Sequence, residues 1–156
     1  MIKIDIPGSR TIDAEYLVLD FNGTIAIDGR FIDGVIGQLV QVSSNLKIHV
    51  LTADTFGTVQ NELKGLPLNI KIIEPDQQIQ QKLNYVNELG PSHVIAIGNG
   101  KNDHLMLRES ALGIGIIQAE GAYSQIFYDT QIICTSINDA LSLLINPKRL
   151  IATLRT

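Results

Sequence analysis

Short apolar runs rich in Val, Ile and Leu recur along the chain and alternate with stretches of helical periodicity. The runs cover residues 16–20, 48–52, 70–73, 94–98, 112–117 and 131–134. Continuous apolar runs of this length are typical of strands buried on both faces. The helix-compatible stretches are residues 34–45, 55–63, 77–89, 102–110, 122–128 and 137–145. The alternation predicts a three-layer α/β fold, in which helices cover both faces of a central parallel sheet.

The first 14 residues stand outside this rhythm. Residues 2–6 and 10–13 flank Pro7-Gly8-Ser9, which predicts an N-terminal β-hairpin. Residues 15–156 then form the α/β core, and a chain of 156 residues fits a single domain.

Charge and composition exclude several classes of protein. The net charge is -4 and the basic residues are scattered, so a nucleic-acid-binding face is not expected. No run approaches the roughly 18 apolar residues that a membrane-spanning helix needs. The one cysteine, Cys134, cannot form an internal disulfide, and we therefore expect a protein of the reducing cytoplasm.

Polar residues follow the predicted strands at the points where those strands end. Asp20 ends the first strand of the core, Thr52 the second, and Asn99 and Asp103 follow the fourth. Lys82 lies within the helix after the third strand. Parallel sheets bind ligands at the carboxyl ends of their strands, so these side chains are expected to meet at one edge.

These segments resemble the four motifs of the haloacid dehalogenase superfamily, in matching order and over nearly the whole chain. Residues 17–24 (LVLDFNGT) resemble the first motif, 50–52 (VLT) the second, Lys82 the third, and 98–103 (GNGKND) the fourth. Within the superfamily the segments look most like the phosphorylation domain of P-type ATPases. Residues 51–54 of this chain (LTAD), with Thr58 further on, resemble the LTGD segment of those ATPases, and residues 98–103 resemble their GDGxND loop. The resemblance is to a small soluble group without a cap domain, and it implies a Rossmann-like core.

The resemblance and the chemistry imply the same roles. A carboxylate that attacks phosphorus needs a cation to offset the negative charge, and Mg²⁺ prefers oxygen ligands. Asp20 is the expected nucleophile, with Asn22 at the usual acid–base position and Lys82 lowering the pKa of Asp20. The expected magnesium ligands are Asp20, the main-chain carbonyl of Asn22, Asn99 and Asp103; the phosphate-binding residues are Gly23, Thr24, Thr52, Ala53 and Lys82; and Gly98, Gly100 and Asn102 support the loop.

Several assignments have alternatives. Lys71 and Lys101 compete with Lys82, and Asp54 fits a helix cap better than a ligand. His49, His93 and His104 do not cluster in the sequence and are interpreted as structural or surface residues, with His104 nearest the site.

Two positions depart from the superfamily pattern. Phosphatases of this type carry a second Asp where this chain has Asn22, and an amide cannot transfer a proton near neutral pH. Asn99 replaces an expected magnesium-ligating Asp, which should weaken metal binding. The spacing also leaves no room for a cap domain, so the site should be open.

The resulting hypothesis is a slow, magnesium-dependent phosphohydrolase that forms an aspartyl phosphate on a phosphorylated substrate of unknown identity. The alternatives are a non-catalytic phosphate-binding or regulatory module and, less favoured because no P-loop is present, an ATP-hydrolysing protein. An open site also suggests a homo-oligomer or a protein partner, with the hairpin at residues 2–12 as the candidate surface.

Overall fold

The computed structural model describes residues 1–53, 59 and 63–156, and a parallel sheet of six strands lies at its centre. The strands of the protein are β1 (Ile2–Asp5), β2 (Thr11–Ala14), β3 (Tyr16–Asp20), β4 (Ala26–Ile27), β5 (Arg30–Phe31), β6 (Lys47–Thr52), β7 (Leu68–Ile72), β8 (Val94–Gly98), β9 (Leu112–Ile116) and β10 (Ile132–Cys134). The central sheet has the order β10-β9-β8-β3-β6-β7, so β3 lies between β6 and β8. The predicted α/β class and the central position of the strand that ends at Asp20 are confirmed.

The α-helices are α1 (Val35–Val42), α2 (Gln78–Leu89), α3 (His104–Glu109), α4 (Ile126–Asp129), α5 (Ile137–Ile145) and α6 (Pro147–Leu154). Short 3-10 helices at Pro91–His93 and Lys101–Asp103 precede β8 and α3. Most predicted elements occur within a few residues of their expected bounds, although α4 begins four residues later than predicted. The predicted helix at residues 55–63, and with it Asp54 and Thr58, lies almost wholly outside the described residues.

Three elements were not predicted. The strands β4 and β5 have two residues each, which is too short to produce a detectable period, and they pair antiparallel. The helix α6 begins with Pro147 in its first turn, where proline is favoured because that N–H has no helical partner.

The sheet is buried on both faces because neighbouring strand residues point to opposite sides. Leu17 and Leu19 of β3 pack in the larger core cluster, to which α1 and α5 contribute. Val18, between them, packs in a second cluster with Val86 of α2 and Met106 of α3. This two-sided burial explains why the strand sequences lack alternation.

The N-terminal hairpin of β1 and β2 packs against the chain's own core. Ile4, Ile6 and Ile12 are at most 3% exposed, so the hairpin does not present the apolar patch that the sequence suggested. Apart from Met1, the exposed large apolar side chains of the described residues lie elsewhere and include Ile36 and Val40 on α1 and Phe127 and Tyr128 on α4.

No cap domain interrupts the described chain. Between β3 and β6 it forms the short β4–β5 hairpin and α1, and the carboxyl ends of β3, β6 and β8 open towards solvent. Among the described residues, no helix is long and apolar enough to span a membrane.

Candidate active site

A cleft of about 470 Å³ lies at the carboxyl ends of β3, β6 and β8. The residues that line it are Asp20, Asn22, Thr52, Ala53, Gln78, Lys82, Asn99, Gly100, Asn102 and Glu120. The fold therefore brings residues from all four sequence motifs to one place. Asp103, Gly23 and Thr24, which were also predicted for the site, lie beneath this surface rather than on it.

Lys82 forms the floor of the site. Its side chain is 1% exposed, and Nζ donates hydrogen bonds to Oδ1 of Asp20 at 2.5 Å and to Oδ1 of Asp103 at 2.6 Å. Lys82 and Val86 are one turn apart on the buried face of α2, which directs the ammonium group towards the end of β3. The competing lysines lie elsewhere: Lys71 is exposed on β7, and Nζ of Lys101 lies 6.0 Å from the ring centre of Tyr123.

The pKa of Asp20 is raised from 3.8 to about 6. Burial is the largest cause and the charge of Asp103 the next, while Lys82 and the main-chain N–H of Phe21 act in the opposite direction. The predicted lowering of this pKa by Lys82 is confirmed, although burial and the charge of Asp103 outweigh it. Burial also tends to lower the pKa of Lys82, but the charges of Asp103 and Asp20 outweigh it and the pKa is raised. Lys82 is therefore a permanent cation at neutral pH.

Asp103 was predicted to bind magnesium, but it lies beneath the cleft. It is fully buried, and its Oδ2 accepts hydrogen bonds from the main-chain N–H groups of Asn99 at 3.1 Å and Gly100 at 2.8 Å. Its Oδ1 is bound to Lys82, so both oxygens have partners within the protein. A Cβ at Gly98 would lie 2.6 Å from Cγ of Asp103, so only glycine leaves room for this carboxylate beneath the loop. The geometry makes Asp103 a residue that positions Lys82 and the loop.

Asn99 and Thr24 lie on the other side of Asp20. The Thr24 hydroxyl is 3.3 Å from both Oδ2 of Asp20 and Oδ1 of Asn99. Nδ2 of Asn99 donates to the carbonyl of Gly121 at 3.1 Å, which turns Oδ1 towards Thr24. Gly23 has a φ of 83°, and a Cβ there would lie 2.5 Å from Asn99, so the loop approaches Asn99 closely because residue 23 is glycine.

The N–H groups predicted to bind phosphate at Gly23 and Thr24 are used within the loop. Gly23 donates to the carbonyl of Ala26 at 2.7 Å, and Thr24 donates to the carbonyl of Phe21 at 3.2 Å. Thr24 is also completely buried. These two residues therefore shape the turn after β3, whereas Thr52 and Ala53 do line the cleft.

Asn22 lies exposed at the mouth of the cleft. Its Oδ1 accepts a hydrogen bond from the N–H of Gly29 at 3.1 Å. Asp28 and Gly29, which form the turn between β4 and β5, have φ angles of 50° and 76°. The Asn22 side chain thus links the short hairpin to the loop that follows β3.

The oxygens around Thr24 provide the test of a metal site. Oδ2 of Asp20 and Oδ1 of Asn99 face the same hydroxyl, and an all-oxygen set suits a hard cation such as Mg²⁺. No three His, Cys, Asp or Glu side chains among the described residues are grouped to hold a metal ion. The donors fit magnesium in kind, but one carboxylate and one amide predict modest affinity.

Three polar residues of this region were not anticipated. Oε1 of Gln78 accepts a hydrogen bond from Nδ2 of Asn102 at 2.8 Å. The side chain of Gln118 donates to the carbonyls of Gly23 at 2.9 Å and Thr24 at 2.7 Å. Glu120 lines the cleft. Gln118 and Glu120 follow the carboxyl end of β9, and Gln78 begins the helix after β7. The rule that identified Asp20 and Asn99 could therefore have identified them.

The three histidines lie apart and none lines the cleft. Nδ1 of His104 is 3.1 Å from Oδ2 of Asp129, Nδ1 of His49 is 2.7 Å from the Tyr85 hydroxyl, and Nδ1 of His93 is 3.0 Å from the carbonyl of Asp13. These contacts agree with the structural interpretation of the histidines.

The strand order, the lack of a cap domain in the described part of the chain and the meeting of the four motifs are those of the haloacid dehalogenase superfamily fold. Solved structures bear this out. The 3-deoxy-D-manno-octulosonate 8-phosphate phosphatase of Moraxella catarrhalis, in complex with magnesium, phosphate and KDO, is 21% identical with a TM-score of 0.65, over 91% of this chain and 94% of that one. The cobalt-bound deoxy-D-mannose-octulosonate 8-phosphate phosphatase of Haemophilus influenzae is 7% identical with a TM-score of 0.70, over 92% and 94%.

At the level of sequence, no model of a known protein family matches the chain. The chain is 46% identical over 78 residues to the uncharacterized protein MJ0073 of Methanocaldococcus jannaschii, a match that spans 47% of this chain and 84% of the relative. The chain belongs to the same family as that protein.

Proposed function

We propose that the chain is a magnesium-dependent phosphohydrolase that forms an aspartyl phosphate on Asp20. The observation that carries this proposal is the buried contact of Asp20 with Lys82 at the floor of an open cleft, with the amide oxygen of Asn99 on the opposite side. A nucleophile, a cation for phosphoryl oxygens and an oxygen donor for a metal are the parts that phosphoryl transfer to a carboxylate needs.

The two oxygens of Asp20 have different surroundings. Oδ1 lies beside the ammonium group of Lys82, whereas Oδ2 lies beside Thr24 and hence on the Asn99 side. We assign Oδ1 to the attack on phosphorus and Oδ2, with Asn99 and the carbonyl of Asn22, to the cation. Oδ1 forms the new bond to phosphorus while the bond to the leaving group breaks, and the leaving group keeps the electron pair. Water then attacks phosphorus, the bond between phosphorus and Oδ1 breaks with its electron pair left on the carboxylate, and the proton lost by the water passes to solvent or to the departing phosphate.

Bound magnesium would offset the negative charge of the carboxylate and the phosphoryl group as they approach. The chain contributes the rest. Lys82 remains charged and can hold a phosphoryl oxygen, Thr52 and Ala53 line the same cleft, and Asp103 holds Lys82 in place.

Asn22 makes this a slow enzyme with a preference for good leaving groups. The position beside the nucleophile holds an amide, which neither protonates a leaving group nor takes a proton from water. General acid–base assistance is typically worth about a hundred- to ten-thousand-fold in rate. Acyl and aryl phosphates should therefore react much faster than alkyl phosphates, and the phosphoenzyme should persist, as the resemblance to P-type ATPases also implies.

The same two amides favour a second candidate. If Asn22 and Asn99 remove turnover altogether, the cleft is a phosphate-binding module without catalysis. The solved structures of similar fold include phosphatases, which supports the enzymatic candidate.

Acetyl phosphate distinguishes the phosphohydrolase from the non-catalytic binding module. Incubation with acetyl phosphate and magnesium, followed by intact mass measurement, should show one added phosphoryl group on the wild type and none on Asp20→Asn. Release of nitrophenolate from nitrophenyl phosphate should be slow but dependent on Asp20. Absence of both signals from the wild type would leave only the binding module.

The substrate is proposed only as a phosphorylated molecule that the open cleft can admit. Since Cys134 is free and buried, a reducing compartment such as the cytoplasm remains our expectation. A homo-oligomer or protein partner also remains a proposal, now with the exposed faces of α1 and α4 rather than the hairpin as surfaces.

A further inference from the structure

Glu120 is a carboxylate of the cleft that neither the motifs nor the proposed chemistry uses. Of the described residues that line the cleft, only Asp20 and Glu120 carry carboxylates. Glu120 is exposed, and it forms no hydrogen bond or ion pair with the described part of the chain. An acidic group in an anion-binding cleft would repel phosphate unless a cation stands between them.

The loop that carries Glu120 is fastened to the Asn99 side of the site. On one flank, Gln118 donates to the carbonyls of Gly23 and Thr24. On the other, the carbonyl of Gly121 accepts from Nδ2 of Asn99 at 3.1 Å. The N–H of Gly121 also donates to the carbonyl of Gln118 at 2.7 Å, which closes the loop on itself. These contacts fix the backbone on both sides of Glu120 to the side of the cleft that carries Asn99.

The groups assigned to the cation carry little negative charge. Asp20 and Asp103 share Lys82, and Asp103 is wholly engaged by Lys82 and main-chain N–H groups. Of the groups assigned to the cation, only the carboxylate of Asp20 is charged, because the amide of Asn99 and the main-chain carbonyl of Asn22 are neutral. Each added anionic group strengthens the binding of a divalent ion. The group need not touch the ion, since Mg²⁺ keeps several of its waters and a carboxylate can bind one of them.

We propose that Glu120 supplies the negative charge that Asn99 lacks, as the second anionic group for a divalent cation at Asp20. This inference rests on the proposed function for its metal. Glu120 acts on the cation through a bound water, because no three His, Cys, Asp or Glu side chains among the described residues are grouped to hold a metal ion directly.

Metal affinity is the direct test, and it needs no turnover. Binding of Mn²⁺, followed by electron paramagnetic resonance, and of Mg²⁺, followed by calorimetry, should weaken about five- to tenfold in Glu120→Gln, as expected for the loss of one charged group near the ion. The matched control is Glu15→Gln, which removes the same charge at the amino end of β3, the end opposite Asp20. Its affinity should equal that of the wild type.

A double-mutant cycle tests the link to Asn99. Asn99→Asp restores a carboxylate at the cation, so Glu120→Gln should cost clearly less affinity in that background than in the wild type. An equal cost in both backgrounds would show that Glu120 does not stand in for the missing charge.

The outcomes separate this inference from the proposed function. If Glu120→Gln binds metal as the wild type does, while the wild type still phosphorylates on Asp20, the inference alone is overturned. If the wild type binds no divalent metal, the inference is overturned together with the magnesium dependence. Circular dichroism of Glu120→Gln should match the wild type, because the substitution removes only the charge of an exposed side chain that has no hydrogen bond or ion pair with the described residues.

Discussion

The ammonium nitrogen of Lys82 lies 2.5 Å from Oδ1 of Asp20, and both side chains are almost completely buried. The same nitrogen lies 2.6 Å from Asp103, so one cation serves two carboxylates of the interior. A buried charge that loses its partner is costly, and this triad therefore links the chemistry of the site to the stability of the fold.

Replacement of Lys82 by Met should destabilise the protein by about 3–5 kcal/mol at neutral pH, because Asp20 and Asp103 are then left buried without a counter-charge. The free energy of unfolding in urea measures this loss. The matched control is Lys71→Met on the exposed side of β7, which should stay within about 0.5 kcal/mol of the wild type. A similar small change in both variants would mean that the triad is not formed in solution.

Asp20→Asn should stabilise the metal-free protein above about pH 6. The pKa of Asp20 is about 6 in the folded protein, against 3.8 for an unperturbed aspartate such as that of the unfolded chain. Ionisation of Asp20 therefore lowers the free energy of unfolding as the pH rises through 6. The cost is absent below the reference pKa, where both states are protonated. With chelator present, the variant should exceed the wild type by up to about 3 kcal/mol near pH 8 and match it near pH 4. Urea unfolding across this range would contradict the assignment if the advantage grew as the pH fell.

Asn22→Asp should raise steady-state turnover of nitrophenyl phosphate and shorten the life of the phosphoenzyme. The upper limit of both effects is the about hundred- to ten-thousand-fold that acid–base assistance provides. A carboxylate can still accept the N–H of Gly29, so the hairpin contact should persist. Alkyl phosphates should gain more than nitrophenyl phosphate, because their leaving groups need the proton.

The control for Asn22→Asp is Asn84→Asp on α2, which makes the same chemical change outside the cleft and can still accept from Gln80. Its turnover should be unchanged. Equal turnover of the wild type and Asn22→Asp, with Asp20→Asn inactive, would show that residue 22 does not occupy the acid–base position.

Asn99→Asp should bind magnesium more tightly and, without metal, be less stable than the wild type. The amide nitrogen that now donates to the carbonyl of Gly121 would become an oxygen that repels it. Magnesium adds the missing attraction, so the rise in melting temperature on addition of Mg²⁺ should be larger in the variant. Thermal unfolding with chelator and with Mg²⁺ gives both values, and an unchanged magnesium response would exclude Asn99 as a ligand.

The order of the elements and the edge of the sheet that carries the site follow from local sequence. Runs such as residues 94–98 are buried on both sides, and helical periods between them require parallel strands with crossover connections. Because all these strands point the same way, Asp20, Thr52 and Asn99 had to end at the same edge. The two-residue strands β4 and β5, which are too short to show a period, were not predicted, and neither was the C-terminal helix α6.

Tertiary structure alone decided which atoms of that edge remain available. Spacing does not show that Asp103 is engaged by Lys82 and two main-chain N–H groups, or that Gly23 and Thr24 donate within their own loop. Nor does it show that burial outweighs Lys82 in setting the pKa of Asp20, or that Glu120 faces the cleft. These properties depend on distances between segments far apart in the chain and on the water that packing excludes, and neither is encoded in the period of a single segment.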